Sequence, residues 1–101
     1  MARVDEEFSA QGILRGRTIR FRADDALAVV RRCQERGVKV LGVDGFIITE
    51  HFTQPLMEQS VDMSDFGNRH SGLNCWDRAA KFLEERKTTD LYFEVVMEDH
   101  K

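Results

Sequence analysis

The stretch Val38-Lys39-Val40-Leu41-Gly42-Val43-Asp44-Gly45-Phe46-Ile47-Ile48-Thr49 decides how the fold is read. Two apolar, β-branched runs flank the dipeptide Asp44-Gly45. Asp-Gly between such runs is a strong hairpin signal, because both central residues of a type I′ turn need positive φ. The spacing predicts an antiparallel hairpin, 38–43 against 46–50.

Upstream, Asp24 is placed to cap a helix, with Asp25 in its first turn. Ala26, Val29, Val30 and Cys33 recur at helical spacing and form one apolar stripe. Gly37 follows a basic last turn, where a left-handed C′ residue is needed. A helix over 25–36 is expected. Further upstream, Arg17 to Arg22 alternates and fits a short edge strand, and the rest of 1–22 reads as an N-terminal extension without an assignment.

Downstream, residues 55–63 alternate weakly after Pro55 and read as a third strand, with a helix as the competing choice. Residues 64–71 read as a loop, and Ser71 can cap a second helix over 72–86. The stripe of that helix is Leu73, Trp76, Ala80 and Leu83, with Trp76 expected in the core. Residues 91–97 are almost continuously apolar, as in a central strand. The predicted order αβββαβ is an α+β domain spanning 1–101. It has a mostly antiparallel four-stranded sheet with two helices on one face.

Composition agrees with one core. The chain has 101 residues, 42% hydrophobic and 33% charged, long enough to fold without disulfide or metal staples. A disordered tail, a collagen-like fibre and a disulfide scaffold are excluded. No apolar run approaches the roughly 18 residues of a membrane span. Met1 to Ala10 carries Asp5, Glu6 and Glu7 and lacks the apolar segment of a secretory signal. A cytoplasmic protein without membrane contact is expected. Cys33 and Cys75 show neither C-x-x-C nor zinc spacing and fit reduced buried thiols.

Charge is segregated along the chain. Arg15 to Lys39 holds eight basic residues against three acidic ones, whereas Asp44 to Asp65 holds five acidic residues and no Lys or Arg. The five are Asp44, Glu50, Glu58, Asp62 and Asp65. An acidic surface speeds encounter with a basic partner.

Catalytic motifs are thin. Cys33 or Cys75 with His51 would make a nucleophile and base, but both thiols fall on helix stripes, where a cysteine is inert. Asp44, Glu50 and His51 lack the spacing of a metal site. Gly42-Val43-Asp44-Gly45 lacks the glycine spacing and lysine of a phosphate loop. The basic run near Arg15–Arg22 has only Phe21 as a stacking platform. Neither enzyme activity nor a cofactor is expected.

The segment Ala26 to Phe46 resembles the start of the colicin E5 immunity protein family. That family opens with a short cysteine-containing helix, a glycine and an apolar strand ending in Leu-Gly-(Ile/Val)-Asp-Gly, matched here by Cys33, Gly37 and Leu41 to Gly45. Val61-Asp62-Met63 resembles a later strand end of the same family, and a second helix and terminal strand follow. The resemblance runs from about Asp24 to Met97. It implies a cytoplasmic immunity protein, the antitoxin of a bacteriocin or contact-dependent growth inhibition system. Such a protein forms a one-to-one complex with a tRNA-cleaving ribonuclease toxin and blocks its RNA-binding cleft. A cleft that holds phosphates is basic, so a competitor must offer carboxylates. The toxin-binding residues expected here are Asp44, Glu50, Glu58, Asp62 and Asp65, with Phe46 or Phe66 as apolar anchors. The alternative is a small nucleic-acid-binding module using the basic segment Arg15–Arg36.

Overall fold

A computed structural model describes residues 4–15, 18–62 and 74–98 of the chain. The fold is α+β, with one antiparallel sheet of five strands: β1 (Ile13–Arg15), β2 (Thr18–Arg22), β3 (Val40–Ile48), β4 (Thr53–Asp62) and β5 (Tyr92–Met97). Three helices accompany it: α1 (Val4–Glu7), α2 (Ala23–Arg36) and α3 (Cys75–Glu84). The strand order is β1-β2-β5-β3-β4. β5 is antiparallel to both β2 and β3, so β2-α2-β3 is a split β-α-β unit with β5 between its strands. In the same way β4 and β5 flank β3 and are joined through α3.

α2 and α3 pack on each other and on the same face of the sheet. Ile19, Phe21, Val43, Phe93, Val95 and Met97 point toward them and meet Val29, Val30, Cys33 and Leu83 in the core. Phe82 and Phe93 meet edge to face, with centroids 6.1 Å apart. α2 ends as its sequence requires. Gly37 takes φ of 70°, and Val38 N–H donates to the Cys33 carbonyl at 2.8 Å, closing a Schellman turn.

Four expectations need correction. The chain does not turn at Asp44-Gly45: β3 runs straight through it, and the hairpin turn lies at Thr49–Phe52. There Thr49 N–H donates to the Phe52 carbonyl at 2.9 Å, and Phe52 N–H donates to Thr49 Oγ1 at 3.1 Å. Gly45 serves close approach instead. Opposite Asp44 stands Ser60, but opposite Gly45 stands Leu56, so Met57, Glu58 and Gln59 bulge out of β4. A Cβ on Gly45 would lie 2.7 Å from the Gln59 carbonyl oxygen.

The sheet has five strands, not four, because β1 pairs antiparallel with β2 at its edge. The alternating segment ending at Arg22 is thus an inner strand, flanked by β1 and β5. The N-terminal segment is also part of the fold: α1 adds a third helix, and Val4 is buried in the core. Finally, the first helix begins earlier than expected and the second is shorter. α2 starts at Ala23 directly after β2, leaving Asp24 and Asp25 in its first turn. α3 is capped by Asn74, whose side chain accepts from Asp77 N–H at 2.8 Å, and Ser71 lies outside the described residues. The segment after Pro55 is a strand, as expected.

Both sheet edges are blunted. β1 has three residues, and β4 carries Pro55 and the bulge. No helix among the described residues is long and apolar enough to cross a membrane.

Candidate functional site on the outer sheet face

The helices cover one face of the sheet, and strand alternation decides what the other face carries. In β5, buried Phe93, Val95 and Met97 alternate with Tyr92, Glu94 and Val96, which face outward. Register then places Gly42 beside Val96, Asp44 beside Glu94 and Phe46 beside Tyr92. From β4, Asp62 lies opposite Gly42 and Ser60 opposite Asp44. From β2, Arg20 and Arg22 join the same face.

The arginine end of this face is closed. The Arg20 guanidinium lies 4.1 Å from the Phe46 ring centroid and reaches Glu94 at 4.0 Å. Its side chain is 13% exposed, and its Nε has no hydrogen-bond partner among the described residues. Arg22 lies 5.6 Å over Tyr92 and pairs with Asp90 at 3.3 Å.

The acidic end is open. A depression of about 300 Å³ is lined by Leu41, Gly42, Asp44, Val61, Asp62 and Val96. Asp44 and Asp62 are eighteen positions apart in sequence and share this depression, because β4 runs back beside β3.

The other candidates from the sequence are not gathered there. Glu50 is exposed at the hairpin tip, and Glu58 is exposed on the bulge of β4. Phe46 is only 8% exposed, beneath Arg20, and so is not a free apolar anchor. Asp65 and Phe66 lie outside the described residues. The sequence reading missed Glu94, Arg20 and Val96. Glu94 could have been noticed as the one charge inside the apolar run 91–97, but its neighbours could not.

The basic segment Arg15–Arg36 is largely committed to pairs. Arg31 meets Asp77 at 3.2 Å, Arg32 meets Glu7 and Glu35 at 3.2 Å each, and Arg36 pairs with Glu7. Partial burial pushes the Glu7 carboxyl up, but hydrogen bonds and charge from Arg32 and Arg36 outweigh it and hold the group below the usual carboxylate range. Cys33 is buried and Cys75 half-buried, both as free thiols. Among the described residues no three His, Cys, Asp or Glu are placed to hold a metal ion. Asp44 sits in the middle of β3, away from Glu50 and His51 at the turn.

No family model matches the chain, and no curated protein and no solved structure matches it either.

Proposed function

We propose that this chain is an immunity-type inhibitor, which binds a basic ribonuclease toxin domain through the outer face of its sheet and blocks the phosphate-binding cleft. The observation that carries this reading is the pair Asp44 and Asp62 around one open depression, beside Glu94, on the face the helices leave uncovered. Carboxylates held on a rigid sheet can stand in for RNA phosphates against Lys and Arg, and such charge complementarity raises on-rate and specificity. The similarity of Cys33 to Gly45 and of Val61 to Met63 to the immunity family supports the same partner class. The arginines of β2 and α2 argue against the nucleic-acid module, since Arg20, Arg22, Arg31, Arg32 and Arg36 each already meet a carboxylate.

The test is protection. Where a ribonuclease toxin domain is found encoded beside this chain, cells expressing that domain should survive when the wild-type chain is co-expressed. Asp44→Lys combined with Asp62→Lys should abolish survival while the purified variant keeps a cooperative unfolding transition. Survival with the double variant, and its loss on replacing Arg31 and Arg32, would move the interface to the helical side.

A further inference from the structure

The outer face breaks a rule of sheet composition at Asp44. Opposite charges on neighbouring strands stabilise a sheet, and like charges directly opposite destabilise it. Here one row crosses four strands as Ser60, Asp44, Glu94 and Arg20. Arg20 answers Glu94 at 4.0 Å. The Asp44 carboxylate has no hydrogen-bond or ion-pair partner among the described residues. Its other neighbour, Ser60, donates its hydroxyl to the Leu56 carbonyl at 3.2 Å. Asp44 therefore stands directly opposite a second carboxylate with no cation of its own among the described residues.

The depression opens at that same place. Gly42 contributes no side chain, Val96 gives an apolar wall, and Asp44 and Asp62 stand at its side. Its volume of about 300 Å³ is at the floor of the range for small-molecule pockets, roughly 300–1,000 Å³. It suits one long side chain better than a whole ligand.

We infer that this depression receives a single arginine side chain of the partner, with the guanidinium on Asp44 and the aliphatic stem along Val96. The inference rests on the proposed basic protein partner and adds which cation enters and where. Arginine fits better than lysine for two reasons. Its planar fork pairs with a carboxylate through two hydrogen bonds. It is also more weakly hydrated than an ammonium, so it gives up less on entering a half-buried, partly apolar site.

The probe is N-acetyl-arginine amide, titrated into the ¹⁵N-labelled chain, with the lysine and citrulline analogues as controls. The arginine compound should shift the amides of Gly42, Asp44, Asp62 and Val96, the lysine compound less, and neutral citrulline not at all. Asp44→Asn should lose this response and yet unfold at higher urea than wild type, because the like-charge contact with Glu94 is relieved. A merely structural role for Asp44 would move stability the other way. Val96→Phe, which fills the depression and leaves Asp44 in place, should lose the response too. Equal shifts with citrulline, shifts on another surface, or an unchanged response in Asp44→Asn would each overturn the site.

Binding to the ribonuclease domain separates this inference from the reading beneath it. Asp44→Asn should weaken that complex by about tenfold to a hundredfold, the range for a hydrogen bond to a charged group. If wild type and Asp44→Asn bind the domain equally, the arginine site is wrong and the inhibitor reading stands. If wild type takes arginine but binds no ribonuclease, the inhibitor reading is wrong and the site stands.

Discussion

Arg20 lies over Phe46, its guanidinium carbon 4.1 Å from the ring centroid. The contact joins strands that are not neighbours, since β5 runs between β2 and β3. It closes the aromatic end of the outer face and leaves the acidic end open.

The first prediction follows from that contact. Arg20→Ala should expose Phe46, leave Glu94 without this cation and destabilise the fold by about 1–2 kcal/mol, the scale of a desolvated cation–π contact. Arg20→Met should recover part of the loss by covering the ring without charge. Urea unfolding measures both, and an unchanged midpoint for Arg20→Ala would mean the stacking contributes nothing.

Trp76 offers a second test. Its indole Nε1–H donates to the Val38 carbonyl at 2.8 Å and ties the start of α3 to the segment between α2 and β3. Trp76→Phe keeps most of the packing and should cost about 1 kcal/mol for the lost hydrogen bond. Trp76→Ala should cost about 3 kcal/mol, the low end for a large aromatic, because the ring is only partly buried. Equal losses in the two variants would show that the hydrogen bond, not the ring, carries the effect.

Gly45 separates a turn from a close approach. If Gly45 spares room for the β4 bulge, Gly45→Ala must push the Gln59 backbone away and should destabilise by about 1–3 kcal/mol. Shortening β4 by Met57 and Glu58 in the same chain should lessen the penalty. A penalty that is the same in both backgrounds would sever Gly45 from the bulge.

The fourth prediction concerns acid. Glu7 on α1 is bound by Arg32 and Arg36 of α2, and its pKa in the folded chain is depressed. A depressed folded pKa gives stability that is present above the unfolded value, about 4.3, and is lost as pH falls through the folded one. The attachment of α1 is therefore complete at neutral pH and weakens in the acid range below about 4. Glu7→Gln should lower the urea midpoint near pH 7, and the gap to wild type should close as the pH falls toward 3. A gap that stays constant with pH would remove the ion pairs from the explanation.

Local periodicity was enough for much of the architecture. The stripe Ala26, Val29, Val30 and Cys33 and the cap at Gly37 define α2, because a helix bonds within itself and its signals lie a few residues apart. The apolar run ending at Met97 reads as an inner strand, and β5 lies between β2 and β3. Asp44 and Asp62 were legible as acidic candidates from charge segregation alone.

Pairing was not legible, because a strand's partner is set by contacts far along the chain. Glycine beside aspartate in an apolar run fits either a turn needing positive φ or a strand needing room, since the missing Cβ permits both. Only the bulge of β4, brought across by the turn at Thr49–Phe52, resolves that ambiguity at Gly45. The same register sets Asp44 opposite Glu94, fifty residues later in the chain, and brings Asp62 to the same depression. Composition and local spacing made an α+β domain built around helices α2 and α3. Which carboxylates meet, and which arginine covers Phe46, was decided by long-range strand order, a property that no window of neighbouring residues contains.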